Sequence, residues 1–331
     1  MEGAISHDKI TRCLSMNTYD SKYLWNHVKP MVQEMISSED NVILCFDDSI
    51  EEKKYTDESE LICWHHDHTV NRAVKGVNFL TAMIHTKGVN LPCAVEFVKK
   101  DLWVEDAKTG KRKRKSSKTK NELYREMISH CDRNMHIDYV VNDCWFSSEE
   151  NMNLLKGELG LDFVMAIKSN RKVALSKTDK EQDKYVGIES LELEQQTVEV
   201  WLEGLDFPLL LTKQVFKNGD GTVGELYLVT SDLNLSYDTM TAIYKKRWNI
   251  EVYHKSVKSN ASFAKSPTKT IKTQTNHFML SILAFVKLEW LQIRNNLNHF
   301  ALKAKIYMAA VKAAKDELSL LSTPLSQKNV M

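Results

Sequence analysis

The sequence lacks the cysteine spacings that define zinc ribbons and disulfide frameworks. It has six cysteines in 331 residues, none of them in a C-x-x-C pair, and Cys45 lies inside an apolar run. Scattered cysteines of this kind are typical of a reduced, cytosolic protein. A small disulfide-stabilised secreted fold is therefore excluded.

Long apolar runs without charge are also missing. The first twelve residues, MEGAISHDKITR, contain no apolar core of the kind that a signal peptide needs. The most apolar long stretch, 277–293, contains Lys287 and Glu289. It therefore predicts a buried helix and not a membrane span.

The chain has almost no net charge, but its charges are segregated. The net charge is +1. Residues 108–120 hold eight basic residues and no acid, and residues 241–275 hold eight basic residues and one acid. These windows together carry +15, which leaves −14 on the rest of the chain when the total is +1. Such a distribution indicates a basic surface for a polyanion on an otherwise acidic body.

The stretch 243–258, IYKKRWNIEVYHKSVK, places a lone acid among five Lys or Arg residues. On a helix that turns about 100° per residue, one narrow face carries Tyr244, Arg247, Glu251, Lys255 and Lys258. A carboxylate on a basic, aromatic-flanked face is typical of a metal ligand beside a polyanion. A solvated amphipathic helix with ordinary ion pairs is the alternative, and spacing alone leaves both open.

The same stretch has an apolar stripe beside its charged face. Ile243, Ile250 and Val257 recur every seven residues. This stripe predicts that the helix packs against the rest of the domain.

Two predicted strands end in carboxylates. Residues 42–46 (VILCF) precede Asp47 and Asp48, and residues 137–141 (IDYVV) lead to Asp143 through Asn142. The first run is apolar throughout, which is typical of a strand buried on both faces. Carboxylates at such a strand end are unfavourable unless they bind something, and sites on these sheets are built at strand ends. A strand-to-turn cap is the alternative.

Further strands, helices and loops are predicted along the chain. Two strands joined by a turn at 87–90 should form a meander with the first strand. The predicted strands are 77–86, 91–98, 163–167, 197–202, 208–216 and 225–230, with a hairpin turn at 218–221. The predicted helices are 121–134, 148–159, 274–296 and 303–315, and residues 108–120 are predicted to form a polar loop.

Two aromatic or histidine-rich features allow more than one interpretation. Residues 63–68 (CWHHDH) suggest a metal cluster, but no later Cys or His pair completes a tetrahedral set, which favours structural or DNA-proximal roles. Trp201 is a candidate for base stacking, with a core position as the alternative.

The order of these features resembles a known family. A strand with Asp, a second strand with Asp, a β-rich segment and a helix with Glu follow one another, as in the DDE transposases of bacterial insertion sequences. The spacing of Tyr244, Arg247, Glu251 and Lys258 is similar to the YREK signature, Y-(2)-R-(3)-E-(6)-K, of the IS-four family. The resemblance spans roughly residues 40–295.

The resemblance implies an α/β fold with a ribonuclease-H-like mixed sheet flanked by helices and a β-rich insertion before the helix with the catalytic Glu. The implied domains are a helical N-terminal region (1–40), a catalytic domain in two parts (41–172 and 236–300), the insertion (173–235) and a helical tail (301–331). Asp143 and Glu251 are implied as the second and third acids. The first is Asp47, with Asp48 as the alternative.

The implied chemistry is cleavage at transposon ends and strand transfer into target DNA. Two Mg²⁺ ions, or Mn²⁺ in their place, would bind Asp47, Asp143 and Glu251. Tyr244, Arg247, Lys255 and Lys258 would contact DNA. Further implied DNA contacts are Lys111, Arg112, Lys113, Arg114, Lys115 and Trp201.

The resemblance also implies partners and a location. The partners are the terminal inverted repeats and the target DNA. A homodimer would hold two ends, and the protein would be cytoplasmic and nucleoid-associated in a bacterium. Three alternatives remain: a nuclease on the same fold that does not join strands, an inactive copy that only binds DNA, and a zinc hydrolase built on residues 65–68.

Overall fold

The computed structural model describes residues 7–37, 41–68, 70–107, 110–193, 196–217, 219, 221–266 and 268–321. The helices are α1 His7–Met16, α2 Ser21–Met35, α3 Lys120–Asp132, α4 Glu149–Met152, α5 Lys177–Glu181, α6 Tyr237–Lys245, α7 Trp248–Asn260, α8 Ile271–Asn295 and α9 His299–Leu321. A π-helical turn, Asn153–Glu158, continues α4, and Ile188–Ser190 form a 3₁₀ turn.

Thirteen strands are present in these ranges. They are β1 Ile43–Glu52, β2 Cys63–Asp67, β3 Arg72–Thr86, β4 Val89–Phe97, β5 Leu102–Glu105, β6 Arg112–Lys115, β7 Tyr139–Asn142, β8 Asp162–Ile167, β9 Lys172–Val173, β10 Val186–Gly187, β11 Thr197–Val200, β12 Leu209–Lys217 and β13 Val223–Thr230.

Nine of the described strands form one mixed sheet. Its order is β11-β12-β13-β8-β7-β1-β3-β2, and β4 also pairs with β3. The pairs β1–β7 and β7–β8 are parallel, and the others are antiparallel. Residues 43–46 of β1 are buried, as an apolar central strand should be. The predicted meander is confirmed, because β3 lies between β1 and β4.

Helices cover this sheet. α2, α3, α7 and α8 contact β4, and α6 contacts β7 and β8. Four apolar side chains of α2 are buried: Leu24, Trp25, Val28 and Val32. This part of the predicted N-terminal region therefore packs on the sheet. The architecture is the predicted mixed sheet flanked by helices, consistent with a ribonuclease-H-like domain.

The first strand is longer than the sequence predicts. We expected it to end before Asp47, but β1 continues to Glu52. The reason is its antiparallel neighbour: β3 pairs with β1 along its whole length, with Asp47 opposite Thr81 and Asp48 opposite Leu80. Only the parallel ladder to β7 stops early, at Cys45. Asp47 therefore lies within a strand, beyond the end of its parallel partner.

The predicted polar loop at 108–120 is wrong in its central part. Arg112–Lys115 form β6, which pairs with β5. We call this β5–β6 hairpin the basic ribbon. The side chain of Trp103 stabilises it, because the guanidinium groups of Arg112 and Arg114 lie 5.5 and 4.4 Å from its ring centre. Lys108 lies outside the described residues.

The segment 173–235 is β-rich, as predicted, but most of it does not form a sheet of its own. β11, β12 and β13 extend the main sheet, since β13 pairs antiparallel with β8. The predicted hairpin connects β12 to β13, with Lys217 opposite Val223. Asn218 and Asp220 of its turn lie outside the described residues, as do residues 1–6, 38–40 and 322–331.

The predicted single helix at 243–258 is two helices. α6 ends at Lys245 and α7 begins at Trp248. Between them the amide of Arg247 donates to the carbonyl of Tyr244, and the amide of Ile250 donates to that of Arg247. These contacts span three residues, so the chain makes a tighter 3₁₀ turn here. Tyr244 therefore lies on a different helix from Glu251.

Within the ranges that the structure describes, no helix is long and apolar enough to cross a bilayer.

Candidate active site

Two parallel strands bring Asp47 and Asp143 side by side. In the β1–β7 ladder, Cys45 lies opposite Val141. Two residues further along each chain are Asp47, still within β1, and Asp143, just beyond β7. The charge of Asp143 is among the influences that raise the pKa of Asp47. The two predicted acids therefore share one edge of the sheet.

Helix α7 brings Glu251 to the same place. Ile250 and Val257, two members of the predicted apolar stripe, are fully buried and fix the helix against the core. The third member, Ile243, lies on α6 and is partly buried. Glu251 remains accessible, with 44% of its side chain exposed. The stripe on α7 thus docks the helix while its carboxylate stays open to a ligand.

Arg247 connects the helix to the strand. Its Nη1 donates to Oδ2 of Asp47 at 3.1 Å and lies 3.8 Å from Oε1 of Glu251. Burial opposes its charge, but Tyr244 and the nearby carboxylates raise its pKa overall. A cation that contacts two carboxylates offsets part of their repulsion.

Asp47 and Asp48 differ in burial and partners. Asp47 is 8% exposed, and burial raises its pKa well above the usual range, against the opposing effect of Arg247. Asp48 Oδ2 accepts from Lys120 Nζ at 2.6 Å and from Asn78 Nδ2 at 2.9 Å. Successive side chains of a strand point to opposite sides. Both side chains nevertheless line one cleft, and the charge of Asp48 raises the pKa of Asp47 and of Asp143. They differ in their cation, which is Lys120 for Asp48 and Arg247 for Asp47.

Asp143 is the third carboxylate of the group. Its Oδ1 accepts from the backbone amide of Trp145 at 3.0 Å. Burial raises its pKa, while that amide and Arg247 lower it. Ionised, Asp47 and Asp143 repel each other, and such a pair is stabilised by added positive charge.

These carboxylates line an open cleft of about 640 Å³. Its walls carry acids, cations, two histidines and an aromatic ring. They are Asp47, Asp48, Ser49, Ile50, His66, Asp67, His68, Val70, Lys120, Asp143, Cys144, Trp145, Lys168, Arg247, Glu251 and Lys258. A cleft lined by both carboxylates and cations suits a phosphate-bearing ligand together with metal ions.

Lys258 lines the cleft, but it is also tied to β1. Its Nζ donates to Ser49 Oγ at 2.9 Å and to the carbonyl of Ile50 at 2.8 Å. Burial lowers its pKa, against the opposing charge of Glu51. Two of its three hydrogen-bond donors therefore anchor the end of α7 to the strand.

Other predicted contact residues do not line the cleft. Tyr244 is partly buried, and burial raises its pKa to about 12. Its ring centre lies 5.9 Å from the guanidinium carbon of Arg247. Lys255 is exposed on α7. Trp201 pairs with Ala174 through its backbone. Arg112–Lys115 form β6 of the basic ribbon, and Lys111 directly precedes this strand. Their roles in DNA binding stay predictions.

The sequence reasoning missed His254. One ligand atom from each of Asp47, Glu251 and His254 lies within 4.8 Å of the others, which makes them a possible metal-binding group in the described part of the chain. His254 is 4% exposed, and burial lowers its pKa to about 3. The pair Glu251-x-x-His254 was the available signal, because positions i and i+3 of a helix face the same way.

The CWHHDH run forms β2, Cys63–Asp67, with His68 directly after the strand. Burial alternates along it, with Cys63 and His65 inward and His66 exposed. Cys63 Sγ lies 3.2 Å from Nε2 of His65. His66 and His68 lie 4.6 Å apart on the cleft side, and His68 lies 5.3 Å from Trp145. Whether these residues bind zinc stays a prediction, and the sequence favours structural or DNA-proximal roles.

Comparison with known proteins identifies the family. Residues 1–187 match the model described as DDE superfamily endonuclease. Residues 107–286 match the model described as Transposase DDE domain. A search of curated proteins returned no match. Each model covers more than half of the 331 residues. The chain therefore belongs to the DDE transposases, enzymes of transposase or endonuclease type that act on DNA.

Proposed function

We propose that the protein is a cut-and-paste DNA transposase of an insertion sequence. It cleaves DNA at the terminal inverted repeats of its element and joins the ends to target DNA. One observation carries the proposal: Asp47, Asp143 and Glu251 reach one cleft from a strand, a strand end and a helix. The spacing of Tyr244, Arg247, Glu251 and Lys258 supports assignment to the IS-four family.

The residues fit divalent metal ions. Carboxylate oxygens are the ligands that Mg²⁺ prefers, and Asp47, Asp143 and Glu251 would hold two such ions, with Mn²⁺ as a substitute. Asp143 and Glu251 both raise the pKa of Asp47, so this group has excess negative charge that Arg247 offsets only in part. Ions held there would supply the Lewis-acid chemistry that activates an attacking water or 3′-hydroxyl and stabilises a leaving oxygen.

The side chains around the carboxylates bind and orient the DNA. Lys120, Lys168 and Lys258 line the cleft and are placed to contact phosphates. Arg247 holds Asp47 in position and adds positive charge where phosphate oxygens would lie. Catalysis of phosphoryl transfer depends on positioning and electrostatic stabilisation. These cations therefore contribute directly to the catalytic rate.

We propose Asp47 as the first metal ligand in place of Asp48. Asp47 lies within 4.8 Å, atom to atom, of a Glu251 oxygen. Asp48 is engaged by Lys120 and Asn78. Oδ2 of Asp48 would have to leave that ion pair to bind the same ion.

Further DNA contacts and the wider assembly are part of the proposal. Tyr244, Lys255, Trp201 and residues 111–115 contact the DNA outside the cleft. Residues 41–172 and 236–300 form the catalytic domain, and residues 173–235 are its insertion. A homodimer holds two transposon ends, and the protein acts in the cytoplasm at the nucleoid.

The decisive experiment compares wild type with Glu251→Gln. Both are incubated with DNA carrying the terminal repeats, target DNA and Mg²⁺, and cleavage and joining are followed on gels. We expect Glu251→Gln to lose roughly three orders of magnitude or more in cleavage rate while DNA binding is retained. Asp238→Asn, an exposed acid on the neighbouring helix, is the matched control and should cut normally.

Each alternative gives a different outcome. Equal cutting and joining by Glu251→Gln would refute the mechanism. Cleavage without joining by wild type indicates a nuclease, and binding without cleavage indicates an inactive copy. Stoichiometric, tightly bound zinc in the purified protein would favour the zinc hydrolase, whereas Mg²⁺-dependent cleavage without zinc rules it out.

A further inference from the structure

His254 lies where an additional metal ligand would be. It follows Glu251 by one helical turn on α7, and one of its ring nitrogens lies within 4.8 Å of ligand oxygens of Asp47 and Glu251. The ring is 4% exposed. Its environment is aromatic: Phe79 contacts it edge to face at 5.4 Å, and Tyr253 lies 5.2 Å away.

One ring nitrogen of this histidine lacks a hydrogen-bond partner within the described part of the chain. Across the described residues, Nε2 of His254 is buried and finds no hydrogen-bond partner. A buried donor or acceptor without a partner costs about 1–3 kcal/mol. Histidines that only fill a core normally satisfy their ring nitrogens. An unsatisfied ring beside two carboxylates therefore points to a ligand that completes its bonding.

We propose that His254 is a nitrogen ligand of a divalent first-row transition-metal ion held together with Asp47 and Glu251. The inference rests on the proposed function, because it concerns the same site. Imidazole nitrogen suits transition metals, whereas Mg²⁺ prefers oxygen donors. His254 thus gives the site a preference for Mn²⁺ over Mg²⁺ that carboxylates alone would not supply.

The spacing is compatible with one ion. Metal–ligand bonds of about 2.1 Å put two donors on opposite sides of an ion about 4.2 Å apart. The three ligand atoms lie within 4.8 Å of one another. To bind one ion, the three ligand atoms need to approach one another by less than about 1 Å. Glu251 is half exposed and free to do so, while Asp47 and His254 are held by their surroundings.

The test uses Mn²⁺ alone on the full-length protein without DNA. Electron spin-echo envelope modulation of bound Mn²⁺ detects a directly coordinated nitrogen. We expect ¹⁴N modulation in wild type, and its replacement by the ¹⁵N pattern in protein labelled with [¹⁵N]histidine. Absence of nitrogen modulation in wild type would overturn the proposal, and this measurement does not depend on the folding of any variant.

Variants then identify the histidine. His254→Gln should lose the modulation and weaken Mn²⁺ binding by about tenfold or more, with a smaller change for Mg²⁺. The double variant His66→Gln/His68→Gln removes the other imidazoles of the cleft and should keep the modulation. If this double variant loses the modulation instead, or a folded His254→Gln keeps it, His254 is not the ligand.

The outcome is separable from the proposed function. Failure of the transposase assignment appears in the Glu251→Gln cleavage assay. Failure of the present inference appears in the spectrum of bound Mn²⁺, even when DNA cleavage is normal.

Discussion

At Asp47, folding favours the neutral carboxyl group, whereas the proposed metal binding needs the ionised carboxylate. Burial raises its pKa, and Asp143 and Glu251 raise it further, while Arg247 lowers it. A carboxylate whose folded pKa exceeds its unfolded pKa makes the folded state bind more protons. Stability is then lost as the pH rises from the unfolded pKa through the folded pKa. Without metal, this carboxyl group therefore makes the folded state less stable at neutral pH than at a pH below both pKa values.

We predict that Asp47→Asn raises the melting temperature at pH 7 without metal and abolishes cleavage. The gain should vanish at about pH 3, below both pKa values, because wild type is then neutral at this position as well. Thermal unfolding at the two pH values measures it. A variant that is less stable than wild type at pH 7 would show that the bond to Arg247 outweighs the burial of charge.

Asp48→Asn is the matched comparison on the adjacent residue. It breaks a partly buried ion pair with Lys120, so we expect a loss of about 1–3 kcal/mol in unfolding free energy. It should retain cleavage if Asp47 is the metal ligand. If Asp48→Asn abolishes cleavage and Asp47→Asn does not, the assignment is reversed.

The sequence could not separate these two aspartates. Residues 42–46 are apolar throughout, so no alternation of polar and apolar residues indicates which side chain faces which side of the sheet. The difference arises from distant partners. Arg247 reaches Asp47 from the turn between α6 and α7, 200 residues further along the chain, and Lys120 reaches Asp48 from α3. Asp143 and Glu251, by contrast, are each predicted without such an alternative, from a position after a strand and from a spaced motif.

At the scale of elements, local pattern predicted the central strands and α8 well. It failed where the pairing of two strands, or the geometry between two consecutive helices, determines the structure. Arg112–Lys115 look like a loop by composition, yet a cross-strand stack on Trp103 makes them a strand. Helical periodicity continues through Lys246 and Arg247, so the 3₁₀ turn between α6 and α7 leaves no trace in it. The types of most elements could therefore be predicted from the sequence, but these boundaries could not.

The basic ribbon should contribute to DNA affinity through phosphates. Arg112 and Lys115 are exposed on β6. For duplex DNA, each phosphate contact adds about 0.9 to the slope of log affinity against log salt concentration. We predict that Arg112→Gln/Lys115→Gln lowers this slope by about 2. Fluorescence anisotropy with a labelled duplex between 50 and 200 mM KCl measures it, conditions in which such slopes are well defined.

A charge-matched control separates contact from net charge. Lys312→Gln/Lys315→Gln removes two exposed cations from α9. It should leave the slope close to that of wild type. If both double variants lower the slope equally, the ribbon acts only through the overall charge of the protein and not through phosphate contacts.

At the scale of the whole molecule, α9 is linked to α7, the helix that carries Glu251. Nδ1 of His299, at the start of α9, lies 2.9 Å from Ser256 Oγ on α7. Its Nε2 lies 3.0 Å from Oε2 of Glu289 on α8. All three side chains are buried. The orientation of α9 is therefore fixed relative to the helix that carries Glu251, and a partner bound to α9 would be held in a defined relation to the cleft.

The outer part of α9 has the features of an interface. Tyr307, Val311 and Leu318 are 55%, 61% and 65% exposed. Together with Ala304 and Ala314 they repeat at alternating spacings of three and four residues, the pattern of a coiled-coil seam. Exposed apolar stripes of this kind mark interaction sites. We place the proposed homodimer contact here, with the α9 helices of two chains packed along this seam.

This placement predicts a dimer in the absence of DNA that depends on the seam. Sedimentation equilibrium of wild type at micromolar concentration should give the mass of two chains. Val311→Lys/Leu318→Lys puts charge into the seam and should weaken dimerisation by at least two orders of magnitude, about 2.7 kcal/mol. Ala309→Lys/Leu320→Lys makes the same kind of change on the opposite face, where both residues are also exposed, and should remain dimeric. A monomeric wild type, or equal loss of the dimer in both variants, would show that this seam is not the contact.

Because α9 is tied to α7, the seam variant should also impair paired cleavage of two ends more than it impairs DNA binding by one chain.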